Sequence, residues 1–194
     1  MKYYKYFRLI LILIPIIILG VLVYKDICPS GILKVDYDFC REDPFISMFS
    51  PMGRVLEIER EKDFCRQKMV IDPVYFDVRL PQSFRTAKLK VWYKKDKDVL
   101  FKIGPRFNSN EWKWLLRDVE YIGNEGEWQI GIIEYNLSYI QIDNNRLRFL
   151  ISSPGLDESG NEILFKKIEI EFEKEQLGFG NLLRRIKSLL EIRL

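Results

Sequence analysis

Carboxylates are the side chains with which this chain could do acid–base chemistry, because it contains no histidine. Without histidine there is no Ser-His-Asp or Cys-His nucleophile, no imidazole proton shuttle and no histidine-ligated metal. Asp36 with Asp38, Asp77, Asp118 with Glu120, and Glu134 are acids of the kind that work in pairs in glycoside hydrolysis. No motif surrounds them, and charges alternating along a strand ordinarily form a solvated face. A carboxylate-dependent glycosidase is therefore the least favoured reading, and no catalytic residue is assigned.

The tryptophans are the stronger candidates for binding. Trp92 falls on the lysine-bearing face of an alternating segment, and Trp112 and Trp114 share a face two residues apart. With Trp128 they could build a flat platform on which sugar rings stack, or they could be buried as most tryptophans are. Cys40 and Cys65 are candidates for a disulfide if the domain is exported, which would leave Cys28 over; the alternative is three unreactive thiols. No CxxC pair suggests a metal or redox role. Asp157, Ser159 and Asn161, followed by Glu162, place oxygens at alternate positions as calcium loops do, although a plain hairpin loop explains them as well. No cofactor is called for. Asn136-Leu137-Ser138 matches a glycosylation acceptor.

The elements that must position these residues are strands. Leu33, Val35, Tyr37 and Phe39 alternate with Lys34, Asp36 and Asp38. The same period of two runs through Val74 to Leu80, Ala87 to Lys94, Leu147 to Ile151 and Lys167 to Glu173. Further strands are expected near Val55 to Ile58, Lys68 to Ile71, Val99 to Ile103, Trp112 to Val119 and Trp128 to Tyr135. Turn residues lie between them at Asp72-Pro73, Leu80-Pro81, Lys95 to Asp98, Gly104-Pro105, Gly123 to Gly126, Asp143 to Asn145 and Pro154 to Gly160. Short strands at this spacing, with a single alanine in the chain, predict a mainly β protein: an antiparallel β-sandwich of jelly-roll type over residues 31–175.

Two segments stand apart. Residues 9–24 carry no charge, and 13 of these 16 positions are Leu, Ile or Val. Inserting that run into a bilayer as a helix gains about 4 to 8 kcal/mol. It is about 24 Å long, and about 28 Å when extended back through Tyr6, close to the hydrocarbon thickness. No small-x-small site follows it, so an uncleaved anchor is expected rather than a signal peptide. Lys2, Lys5 and Arg8 in residues 1–8 place the N-terminus in the cytoplasm and the rest of the chain outside. The linker of residues 25–30 reaches at most about 20 Å, which keeps the domain close to the membrane. In residues 176–194, Asn181 is a good N-cap, and Leu182, Leu183, Ile186, Leu189, Leu190 and Leu194 recur at helical spacing among Arg184, Arg185, Lys187 and Arg193. This predicts a short basic amphipathic helix, packed on the sandwich or forming a loosely ordered tail, lying on anionic lipid or docked to a partner.

Thirty-one basic against 28 acidic residues leave a formal charge of +3, so overall charge does not argue for nucleic acid. DPVYFDVRLPQSFRTAKLKVWYKK, LRFLISSPGL and ILFKKIEIEFE resemble the galactose-binding-like and carbohydrate-binding jelly rolls, in which an F-x-V strand leads through a P-x-x-F turn into an A-x-L-x-V-x-Y strand. The chain also resembles single-pass envelope proteins of small-genome bacteria. The resemblance implies fold, and sugar binding only by analogy, since no ligand residue carries over. The expected protein is a membrane-anchored extracytoplasmic β-sandwich with a non-catalytic binding or scaffolding role at the cell envelope. Its partners would be envelope polysaccharide or a membrane protein. The alternative is a glycan-binding module that uses exposed tryptophans.

Overall fold

Apolar residues at every second position need a second apolar surface to cover them, and here two antiparallel sheets cover one another. The computed structural model describes residues 10–21, 31–96, 99–108, 113–140 and 142–174. The chain divides into two units, Ile32–Glu173 and the flanking Met1–Gly31 with Lys174–Leu194. In the flanking unit the described structure is chiefly a helix, α1, over residues 10–21. Among the described residues no helix is long and apolar enough to cross a membrane. The transmembrane helix expected over 9–24 is thus not found as such. The rest of that span, Cys28 and the amphipathic helix expected over 176–194 lie outside the described residues.

The second unit holds twelve strands among its described residues. They are β1 (Ile32–Tyr37), β2 (Glu59–Arg60), β3 (Cys65–Met69), β4 (Val74–Arg79), β5 (Thr86–Lys95) and β6 (Lys102–Asn108). Then follow β7 (Lys113–Trp114), β8 (Arg117–Asp118), β9 (Glu120–Glu125), β10 (Trp128–Asn136), β11 (Arg146–Ser152) and β12 (Ile163–Glu173), with a one-turn helix α2 (Leu156–Ser159) before the last strand. One sheet has seven strands in the order β2-β3-β12-β5-β10-β9, with β1 also pairing β12; the other has five, β4-β11-β6-β7, with β8 pairing β6. Every pairing is antiparallel, so the architecture is a two-sheet sandwich.

The five alternating segments all form strands. Their inward residues, such as Leu89, Val91, Ile168 and Ile170 from one sheet and Phe76, Val78, Leu147 and Phe149 from the other, make a single core. Two differences from the expected pattern matter. Trp112 to Val119 was expected as one strand, but its described part forms two short pairings, β7 and β8, that fold back along β6. A Cβ on Gly104 of β6 would stand 2.0 Å from the Leu115 carbonyl oxygen, so only glycine admits this close return. Glu120–Glu125 adds β9 to the sheet edge, so the strand runs into the turn expected over Gly123 to Gly126.

Aromatic rings link the layers. Phe49, from the loop before β2, packs edge-on to Phe165 of β12 at 5.4 Å and against Phe76 of β4 at 5.7 Å. The Tyr135 hydroxyl of β10 donates to the Ile103 carbonyl of β6, tying the two sheets by a buried hydrogen bond. Since Phe49 bridges both sheets and is 1% exposed, Phe49→Ala leaves a cavity at their junction. The expected loss is about 3 to 5 kcal/mol, measured by urea unfolding with the slope unchanged.

Candidate functional site

The outer face of the seven-stranded sheet gathers more of the sequence-selected residues than any other surface of the described domain. Registers across β1, β12, β5 and β10 align them in ranks. Lys34 stands opposite Glu171, Glu171 opposite Lys88, and Lys88 opposite Glu134. In the next rank Asp36 faces Glu169, Glu169 faces Lys90, and Lys90 faces Ile132. Charges of opposite sign meet in the first rank, as Lys34–Glu171 at 3.0 Å and Lys88–Glu134 at 2.9 Å, whereas Asp36 and Glu169, alike in sign, share Lys167 as counter-ion. Hydrogen bonding to Glu134 holds the Lys88 ammonium above the usual lysine range.

Trp92 occupies this face as its position among the lysines foretold, but it is not an open platform. It is 3% exposed, and so is Trp128 in the neighbouring strand; neither belongs to the inter-sheet core. Both are covered from outside. The Lys90 ammonium lies 4.4 Å and that of Lys167 5.2 Å from the Trp92 ring centre, and Lys94 covers Trp128 at 4.5 Å. Lysine stems shield the rings from water while the ammonium heads stay attracted to the π faces. Trp92 Nε1 donates to Glu125 Oε2 at 2.9 Å. That hydrogen bond, opposed by burial and aided by Lys166, holds the Glu125 carboxyl below its usual range. The remaining tryptophans lie elsewhere: Trp114 is half-buried in β7, paired with β6 of the other sheet, and Trp112 lies outside the described residues.

A bulge in β12 sets the cation pattern. The pairing with β5 shifts between Phe165 and Lys167, where Phe165 and Ile168 both point into the core. The extra residue re-aims Lys166, so consecutive lysines serve the same outer face. Lys167 Nζ reaches Asp36 at 2.9 Å and Glu169 at 2.6 Å, while Lys166 reaches Glu125 at 3.5 Å. Burial opposes the charge on Lys167, but its two carboxylate partners outweigh it and leave the ammonium above the lysine range. Two apolar residues flanking two lysines, F-K-K-I, is the sequence signature of this bulge.

At the rim of the face lies a cleft of about 540 Å³ whose walls include Asp36, Asp38, Phe64, Glu125, Lys166 and Lys167. Cys40 and Cys65 form a disulfide at its edge, with a Cα–Cα distance of 5.1 Å. It joins the end of β1 to the start of β3 across 25 residues, worth about 3.5 kcal/mol through the unfolded chain. Phe64, next to Cys65, is the ring the cleft presents. It is half-buried, meets Trp128 edge-on at 5.7 Å and carries Lys166 at 5.4 Å. Sequence reasoning passed it over because it stands outside any alternating run. Beneath the rim, burial and then the negative field of Asp38, Glu42 and Asp43 push the Tyr37 phenol up to about 12.

Of the sequence-selected acids, Asp36 and Asp38 share the rim cleft, and the others are dispersed over the domain. Asp36 is ion-paired to Lys167, and Asp38 Oδ1 accepts the Cys40 backbone N–H at 2.9 Å. Asp77 lies on the other sheet, held by Arg148, and Asp118 faces Lys102. Glu120 is exposed in β9. Asp157 and Ser159 sit on the one-turn helix α2, and Asn161 follows it. Among the described residues no group of three or more acidic or cysteine side chains could hold a metal.

No family model and no curated protein matches the chain. Among solved structures it is similar to a xylan-binding module CBM15, at 12% identity and a TM-score of 0.48, covering 75% of this chain and 99% of that one. It is similar to the CBM22-1 xylan-binding domain of Paenibacillus barcinonensis Xyn10C, at 11% identity and 0.45, covering 75% and 96%. TmCBM61, solved in complex with β-1,4-galactotriose, is similar at 15% identity and 0.39, covering 65% and 88%. None of these likenesses assigns a ligand or a residue's role to this chain.

The lowered Glu125 carboxyl makes the Trp92 contact sensitive to acid. Its stabilising charge is fully present above the ordinary value of 4.5 and is lost as pH falls through the depressed one. Tryptophan emission, titrated from pH 6 to 2, should change with a midpoint below 4.5. Glu125→Gln should abolish that step; a step that survives the substitution assigns it to another acid.

Proposed function

We propose that the chain is a non-catalytic binding module of the cell envelope, held at the membrane by a single helix over 9–24, that takes neutral polysaccharide in the cleft at the rim of its seven-stranded sheet. The observation that carries this reading is the cleft's composition. The half-buried Phe64 ring offers an apolar face, and Asp36, Asp38, Lys166 and Lys167 surround it with acceptors and donors suited to sugar hydroxyls. Trp92 and Trp128 support that wall from behind rather than meeting ligand themselves. The carboxyls of Glu125, hydrogen-bonded by Trp92, and Glu127, hydrogen-bonded by Lys94, are both held low.

Residues 1–8 carry Lys2, Lys5 and Arg8 ahead of the apolar run, which supports a cytoplasmic N-terminus. The Cys40–Cys65 disulfide accords with an oxidising compartment for the rest of the chain. A second reading, docking to a membrane protein, is supported by the sheet edge at β9, where Tyr121 is 56% and Ile122 50% exposed.

Affinity electrophoresis of the full chain against neutral β-linked polysaccharides tests the binding reading. Retardation is expected, reduced about tenfold by Phe64→Ala, since loss of one stacked ring is worth about 1 to 2 kcal/mol. No retardation by any neutral polysaccharide would leave the docking reading. Protease added to spheroplasts tests topology separately: residues beyond 25 should be digested while the N-terminal fragment stays with the membrane. Protection of the domain would reverse the orientation.

A further inference from the structure

On the opposite side of the sandwich, the outer face of the five-stranded sheet carries an arginine cluster that the proposed function leaves unused. Arg79 of β4 and Arg146 of β11 stand directly opposite one another in the register. Like charges facing across an antiparallel pair are destabilising, and neither of these exposed guanidiniums has a carboxylate partner among the described residues. One rank along, Arg148 is held bidentate by Asp77, at 2.6 and 2.8 Å. One position beyond the Phe149–Pro105 pairing, Arg106 comes alongside Arg148, and its guanidinium is paired with Asp143. Asp143 is fixed by the tight turn that starts β11. Asn144 and Asn145 both take positive φ, 51° and 59°, and the Arg146 N–H donates to the Asp143 carbonyl at 2.9 Å.

These side chains surround a cleft of about 470 Å³, within the size range of ligand sites. Arg106, Arg146 and Arg148 line it against Asp77 and Asp143, so positive charge is in excess, and Arg79 adds to it from the position opposite Arg146 in the register. The two aspartates orient Arg148 and Arg106, and the uncompensated pair supplies the charge.

We infer that this cleft binds an oxyanion carried by an acidic polysaccharide, a carboxylate or a phosphate, as a site separate from the neutral-sugar cleft. Guanidinium forks match the planar, bidentate geometry of such groups. A concave cleft with Arg106 and Arg148 recessed in it suits a protruding sugar substituent better than the flat surface of a bilayer. The excess charge of Arg79 and Arg146 has no carboxylate partner among the described residues, and an anion bound beside them would reduce the repulsion.

The test uses the full chain in affinity electrophoresis against polygalacturonate for carboxylate and phosphorylated dextran for phosphate, beside vesicles of anionic phospholipid. At least one of the two polymers should retard the chain, and the stronger of them names the group. Arg146→Ala and Arg79→Ala should each weaken that retention about tenfold or more, whereas Lys62→Ala, removing an exposed charge elsewhere, should not. Retention should also fall steeply with added salt. The melting temperature of either arginine variant should stay level or rise, because a repulsion is removed. Equal retention of wild type and both variants, absence of retention on both polymers, or binding to the vesicles alone would overturn the inference. Retention on neutral polysaccharide is measured in the same series and with Phe64→Ala, so failure at one cleft is read apart from failure at the other.

Discussion

The ladder between β5 and β12 is the constraint on which the rest of the domain depends. The two strands pair along nearly their whole lengths, from Thr86↔Glu173 to Lys95↔Ile163. The far side of β12 is shared end to end by β3 and β1, and the far side of β5 is taken by β10. Both strands are therefore central, and every residue in them belongs to one face or the other. The inner residues, Ala87, Leu89, Val91, Ile168, Ile170 and Phe172, commit one face to the core. The outer face must then carry everything polar in these strands, packed at strand spacing of under 5 Å. Charges so close need a counter-ion: Lys34–Glu171 and Lys88–Glu134 supply it across the strands, and Lys167 supplies it to Asp36 and Glu169, which face one another.

The same constraint explains how tryptophans come to be buried on a wet face. Trp92 cannot turn into the core, because Val91 and Tyr93 on either side occupy the inward positions at that level. It is instead roofed by Lys90 and Lys167, and the head of Lys167 is also paired with Asp36 and Glu169, so in that side chain hydrophobic cover and electrostatic balance coincide. Removing a lysine from this array would uncover an indole as well as unpair a carboxylate. The β12 bulge adds one cation without disturbing the alternation on either side, and the disulfide holds the loop that brings Phe64 to the rim.

The two outer faces differ in kind. On the seven-stranded sheet, lysines and glutamates neutralise one another over an aromatic floor. On the five-stranded sheet, arginines predominate and two of them repel. A protein using both would engage a polymer carrying hydroxyls and acidic groups, which is the composition of many envelope polysaccharides.

Composition and period alone determined the fold class. The absence of histidine removed whole classes of catalysis, and the alternation of Leu33 to Phe39, Val74 to Leu80 and Ile168 to Phe172 specified strands with one buried face, because side-chain direction in a strand is a local property with period two. The lysine-bearing face of Trp92 was legible for the same reason. Tertiary structure decided what covers that face. Whether Trp92 meets ligand or lysine depends on Lys167 and Glu125, 75 and 33 residues away in sequence, and such distance is invisible to periodicity. Phe64 and Phe49 lie in irregular segments, so only the pairing of distant strands shows that one lines a cleft and the other bridges the sheets. The repulsion of Arg79 and Arg146 likewise exists only through the β4–β11 register, since each residue alone looks like an ordinary solvated charge at the end of its strand. Local patterns determine which way a side chain points; what stands opposite it is set by long-range pairing and remains undetermined until the chain has folded.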